Sequence, residues 1–143
     1  MKIRKATKKD VKNIADLFRR EFRKPPYKEK WSEKDAVRKI RDYFKRSSIF
    51  VLETEKEITG FIVASTFLWE SGIRGFIDEI VVSSKFQREG YGKKLINYAE
   101  DYFKKKGIKR VSLMSAKNSM AFKVYKKLGF KEENFVSMYK KLK

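Results

Sequence analysis

Two side chains that carry much of enzyme chemistry are missing from this chain. Its 143 residues include no cysteine and no histidine. Without cysteine there is no disulfide, no thiol nucleophile and no route through an acyl-cysteine. Without histidine the common zinc sites and the usual general base are excluded. A general base here must be Asp, Glu, Tyr, Lys or a water chain. Proline occurs twice, and glutamine is scarce, with Gln87 alone in the chain. No apolar run approaches the ~18 residues of a membrane span. The opening "MKIRKATKKD" lacks the apolar core of a signal peptide. These absences lead to the expectation of a cytoplasmic protein without a membrane partner.

What is present suits a folded enzyme-sized domain. Hydrophobic residues make up 41% and aromatics 15%, with 12 Phe, so disorder is not expected despite 38% charged residues. A chain of this length is expected to form a single domain, residues 1–143, that buries roughly two-thirds of its unfolded surface. The formal charge is +19, from 37 Lys and Arg against 18 Asp and Glu. Two readings follow. The basic surface meets a polyanion, such as a ribosome, a nucleic acid or a phosphorylated cofactor. Alternatively it is a thermophile-like, lysine-rich surface.

Periodicity predicts the order βααβββαβαβ, a mixed α/β fold. "KIRKAT" reads as a strand, and Thr7 with Asp10 as a capping box. The following helix places Val11, Ile14, Ala15, Phe18 and Phe22 on one face, and Pro25 and Pro26 break it. Ser32 caps a second helix with Val37, Ile40 and Phe44 on its buried face. "SIFVLET" and "GFIVASTFLW" read as a hairpin, "WESGIRG" as a loop and "FIDEIVVS" as the next strand. A helix with Leu95, Ala99, Tyr102 and Phe103 on one side stops at Gly107. "KRVSLMSA" is then a strand, and "NSMAFKVYKKLGF" a helix with Ala121, Val124, Tyr125 and Leu128 inward. "FVSMYKKL" is expected as a last strand.

The stretch "IVVSSKFQREGYGKKLINYAE" uses two of the chain's 7 Gly within three residues. Its turn leaves an apolar strand and enters a helix. A helix N-terminus presents free N–H groups and partial positive charge, which together suit an anion. Gly90 and Gly92 permit close backbone approach, and Arg88, Lys93 and Lys94 add charge. Leu95 stands where the dinucleotide fingerprint would need its third glycine, and no Gly-Lys-Ser/Thr makes a P-loop.

"FQREGYGKKL" after "IDEIVVSS" resembles the pyrophosphate-binding motif of the GNAT superfamily of acyl-CoA-dependent N-acyltransferases. Gln87, Gly90 and Gly92 carry that likeness. "NSMAFKVYKKLGF" is similar to the family's next segment through Asn118, Tyr125, Gly129 and Phe130, and "IRKATKKDVKNIADL" to its first strand and helix. The resemblance implies the GNAT fold, a mostly antiparallel mixed sheet splayed at the cofactor strand and flanked by helices. It implies acetyl-CoA as cosubstrate and no metal. Arg88, Glu89, Gly90, Tyr91, Gly92 and Lys93, with Gln87, would cradle the pyrophosphate. Val81 and Val82 would pair with the pantetheine arm, and a backbone N–H there would polarise the thioester carbonyl. Asn118 would touch the same arm while capping its helix. Tyr125 would protonate the leaving thiolate.

The resemblance also implies an acid on the strand before the turn. Asp78 and Glu79 are the two available bases, and strict alternation sends them to opposite faces. Both could equally pair with surface lysines. Tyr27, Trp31 and Trp69 lie where the family builds its acceptor pocket. The expected acceptor is a primary amine, first a protein N-terminus or lysine, then a small amine or amino acid. With Asp78 and Glu79, Glu70 would make the pocket locally acidic. The oligomeric state is left as monomer or homodimer. Two rivals compete with the enzyme. One is a noncatalytic acyl-CoA sensor. The other is an RNA-binding module, because Arg74, Gly75 and Phe76 begin like an RNP1 signature. Ile77 and Asp78 then break that signature, and an acidic pair would repel phosphate.

Overall fold

The computed structural model describes residues 1–143. Five strands form one sheet in chain order: β1 (Lys2–Lys5), β2 (Ser48–Thr54), β3 (Glu57–Trp69), β4 (Gly72–Val82) and β5 (Val111–Leu113). The first three pairings are antiparallel, and β4 with β5 is parallel. Helices α1 (Val11–Phe22) and α2 (Glu33–Arg46) cover one face. Helices α3 (Tyr91–Lys105) and α4 (Met120–Lys127) cover the other.

Each layer follows from local chemistry. The Asp10 carboxylate accepts from the Thr7 backbone N–H at 2.8 Å, which starts the turn leading into α1. Ser32 accepts from Asp35 N at 3.0 Å and caps α2, with Glu33 and Asp35 favoured beside the N-terminal dipole. Helix α1 buries Ile14, Ala15, Leu17 and Phe18, and α2 buries Ala36, Ile40 and Tyr43. They close on Val51, Phe61, Val63 and Val81. Across the sheet, Leu95, Ile96, Ala99 and Phe103 of α3 meet Phe50, Leu52, Ile62, Ala64 and Ile77. Fully burying one such side chain stabilises by about 1.5–3 kcal/mol.

Four sequence expectations need correction. The expected last strand does not form: the chain beyond Gly129 has no regular structure, and Phe135, Val136, Met138 and Tyr139 are exposed. β5 leaves its outer edge open, yet the segment makes no ladder with it, and a strand-like local pattern does not by itself produce pairing. The "WESGIRG" loop shrinks to a tight turn, because Gly72 to Gly75 already belong to β4. On α2, Tyr43 is buried, while Val37 and Phe44 are only partly so. On α4, Val124 points outward and is 42% exposed.

Candidate active site

β4 keeps its β3 partner to its end, yet it meets β5 only at Gly75, Phe76 and Ile77. Beyond Ile77 its backbone has no strand on the β5 side, so the sheet opens into a cleft. The apex of the cleft depends on Gly75. A Cβ there would stand 2.8 Å from Cδ1 and Cε1 of buried Phe103. Gly75 is therefore a close-packing residue between β4 and α3, which removes the structural basis for reading it as part of an RNA-binding signature. Val81 faces the α1/α2 core and Val82 packs against the α3 side, both on the stretch without a β5 partner.

The glycine turn follows directly on the end of β4. Gly90 has φ +79° and leads into α3, a left-handed conformation that side chains resist. Arg88 also has positive φ, +70°. Nothing lies within 4 Å of a Cβ built on Gly90 or Gly92. The turn thus bares the first N–H groups of α3 to open space. Gln87 Nε2 donates to the Val82 carbonyl at 3.1 Å and folds the turn back on the strand. Glu21 of α1 accepts from Ser84 N at 3.1 Å and ties the other side of the turn. Arg88, Glu89 and Lys93 are exposed, and Tyr91 stacks on Phe86 with centroids 5.7 Å apart. A cradle of free N–H groups, emptied of side chains by two glycines, fits a pyrophosphate.

The two acids do not divide as alternation predicts. Val63 pairs with Glu79 and Ala64 with Ile77, so Asp78 is an extra residue in β4. This bulge resets the parity of the strand. Ile77 packs in the α3/α4 core and Val81 in the α1/α2 core, although they are four residues apart. Both carboxyls consequently lie towards α2, where each is drawn on by Lys39. Burial pushes the Asp78 carboxyl up, against the pull of the Ser65 hydroxyl, Arg46 and Lys39. Its Oδ2 is buried without a hydrogen-bond partner. Burial also pushes the Glu79 carboxyl up, opposed by Tyr43 and Lys39 and reinforced by Glu29 and Asp78. The Tyr43 hydroxyl donates to Glu79 Oε2 at 2.8 Å.

Tyr125 enters from α4 and is 9% exposed. Burial first, then the nearby Tyr27 and Glu79, hold its phenol well above the ordinary range. Tyr27 reaches the same place from the α1–α2 connection. Burial raises its phenol too, with the Ser119 hydroxyl pulling the other way and Glu79 and Glu29 adding to the rise. The charge of Glu79 thus reaches both phenols, although Glu79 turns towards α2 and Tyr125 packs in the α3/α4 core. The helix cap expected at Asn118 belongs instead to Ser119, which accepts from Phe122 N at 3.2 Å, leaving Asn118 exposed just before it. Of the expected pocket walls, Tyr27 joins the cluster. Trp31 packs edge-on against Phe18 with centroids 5.0 Å apart, and its indole N–H donates to Glu29 at 2.6 Å. Trp69 sits under Arg74 at the end of β3, beside exposed Glu70. Tyr43 and Ser119 are the participants that sequence reasoning missed. The i, i+4, i+7 spacing of Ala36, Ile40 and Tyr43 was the available signal for the first. No cluster of three or more acidic residues is arranged to hold a metal ion. No helix is long and apolar enough to cross a membrane.

A mixed sheet that parts at one strand, with a glycine-emptied helix mouth at the opening, defines an acyl-CoA transferase-like fold. A profile of the acetyltransferase (GNAT) family matches residues 11–130, and the chain belongs to that family. It is 35% identical to an uncharacterized N-acetyltransferase of Methanocaldococcus jannaschii over 94% of its own length. The chain spans 62% of that relative. Among solved structures it resembles a possible acetyltransferase from Clostridium difficile, with TM-score 0.85, 16% identity, and 99% and 97% of the two chains covered. It also resembles an aminoglycoside N-acetyltransferase solved with CoA, with TM-score 0.79, 21% identity, and 98% and 93% covered.

Proposed function

We propose that this chain transfers an acetyl group from acetyl-CoA directly to a primary amine. Acetyl-CoA, as cosubstrate, would supply the acetyl group activated as a thioester. The observation that carries the reading is the stretch of β4 beyond Ile77 without a β5 partner, followed by a turn whose Gly90 and Gly92 leave the start of α3 open. The N–H groups around Gly90, Tyr91, Gly92 and Lys93, with Gln87, Arg88 and Glu89 framing the turn, would hold the pyrophosphate. The backbone edge at Val81 and Val82, which has no β5 partner and whose Val82 carbonyl is held by Gln87, would hold the pantetheine arm together with Asn118.

Of the two acids, Glu79 is the base in this reading. Asp78 Oδ2 is sealed away without a partner, whereas the Tyr43 hydroxyl holds Glu79 by Oε2. An ionised Glu79 would take a proton from the acceptor ammonium, directly or through water, to give the neutral amine that attacks the thioester carbonyl. A lysine amine, with a pKa of about 10.4, needs that help more than an α-amine at about 7.7–8.0. Tyr125, kept protonated by its burial, would give its proton to the departing sulfur.

The acceptor we place first is a protein N-terminus or lysine, with small amines and amino acids next. The carboxyls of Glu29, Asp78 and Glu79 make the cleft locally acidic within a basic chain, which favours a cationic amine. The basic exterior supports association with a ribosome or another nucleic-acid assembly in the cytoplasm. The test is a release assay for the free CoA thiol, run against peptides with free N-termini, lysine peptides, polyamines, amino acids and aminoglycosides. Transfer to any class supports an enzyme and names its acceptor. Tight acetyl-CoA binding with transfer to none would replace this reading by a noncatalytic acyl-CoA sensor.

A further inference from the structure

We infer that Tyr43 is a positioning residue that orients and keeps ionised the general base Glu79. This rests on the reading of Glu79 as base given above.

The geometry separates the two oxygens of Glu79. Oε2 accepts the Tyr43 hydroxyl at 2.8 Å. Oε1 takes no hydrogen bond from the protein. An ionised carboxylate only accepts, so the phenol must donate, and that bond fixes the plane of the carboxylate. One oxygen is anchored and the other is left to meet the amine.

Tyr43 is itself held firmly. It is 4% exposed within the α1/α2 core, and Lys39 lies over its ring 5.1 Å from the centroid. Its position on a capped helix makes the donor rigid, as a supporting group must be. The charged and titratable groups around Glu79 come from every neighbouring element. Helix α2 contributes Lys39 and Tyr43, with Arg46 beyond. The α1–α2 connection contributes Tyr27 and Glu29, β4 contributes Asp78, and α4 contributes Tyr125. Glu29 and Asp78 oppose ionisation of Glu79, and Lys39 favours it from a distance. Tyr43 alone does so through a direct hydrogen bond.

The test reads the carboxyl itself. Protein labelled with ¹³C at the glutamate carboxyl is titrated by NMR, and the Glu79 signal is the one lost in Glu79→Gln. In Tyr43→Phe that signal should titrate about one pH unit higher, because a hydrogen bond favouring the charged form is gone. The acid limb of kcat/KM for acetyl transfer to a peptide α-amine should move up with it. Tyr43→Phe should add little further loss in the Glu79→Gln background. Phe keeps the ring and its packing, so a merely structural tyrosine would change the melting temperature without moving the carboxyl titration. A Glu79 signal that titrates identically in Tyr43→Phe overturns the inference. A shifted signal with Glu79→Gln fully active overturns it differently: the hydrogen bond is real, and the base assignment has failed.

Discussion

Gly75 and Phe103 are in contact where a side chain on Gly75 would have to be. Cδ1 and Cε1 of the ring lie 2.8 Å from the place of the missing Cβ. Both residues sit where β4 and β5 are still joined, just before they part. Phe103 is fully buried and has no free end to swing away. Gly75→Ala should therefore push α3 from the sheet and destabilise by about 1–3 kcal/mol, the range for overpacked cores. Urea unfolding measures this. A change below the error of the midpoint would mean that α3 has more slack than its packing implies.

Gly92 separates cofactor binding from stability. A Cβ there meets nothing within 4 Å, and the residue lies in the first turn of α3. Gly92→Ala should leave the melting temperature unchanged or slightly raised, since Ala favours a helix over Gly by about 0.5–1 kcal/mol. CoA affinity measured by calorimetry should nevertheless fall, because the methyl group enters the space where we propose the phosphate binds. Gly90→Val should abolish binding more completely, through both bulk and its φ of +79°. Undiminished affinity in Gly92→Ala would move the pyrophosphate away from this turn.

Tyr125→Phe tests the leaving-group acid. The phenol stays protonated across any practical assay range, so it should add no pH limb of its own. Its loss should lower kcat towards the lower end of the ~10²–10⁴-fold range of acid catalysis, because a thiolate leaves well. Acetyl-CoA affinity and thermal stability should hardly move. Equal kcat in the two proteins would make Tyr125 a packing residue.

The raised carboxyl of Glu79 predicts a pH-dependent gain from its removal. Unfolded, this group titrates at its ordinary 4.5, and folded it titrates higher. Between those values the folded chain holds more protons than the unfolded one. Its contribution to stability therefore falls as pH rises through that window. Glu79→Gln should be no more stable than the parent below pH 4 and relatively more stable at pH 8. The difference should grow through the window, while activity is lost. Asp10 works in the opposite sense. The Arg4 guanidinium holds its carboxyl below 3.8, so its stabilising contribution is present at neutral pH and disappears under strong acid. Melting curves of Glu79→Gln and the parent at several pH values would reveal the trend. A stability difference independent of pH would mean that Glu79 titrates normally in the folded chain.

Much of the framework is legible because it is local. The Thr7–Asp10 turn, the Ser32 cap, the apolar stripes of α1 and α3, and the glycines before α3 all act through neighbours in the chain. Such signals survive in a bare sequence, and the turn and the helix start they point to are both present. The direction of the two acids was not local. Alternation holds only while a strand stays in register, and register is set by the partner. β3 skips Asp78 between its pairings with Ile77 and Glu79, and that one extra residue turns both carboxyls towards α2. Tyr43 became visible as a partner of Glu79 only when α2 was laid on that face, 36 residues away in the chain. The unformed last strand has the same cause in reverse. "FVSMYKKL" has the composition of a strand, but it makes no ladder with the open edge of β5, and its residues remain exposed beyond α4. The sequence by itself determined the helices, the first four strands and the glycine turn, whose signals are local. The tertiary structure decided which side chains meet, because pairing register and helix docking depend on contacts between residues far apart in the chain.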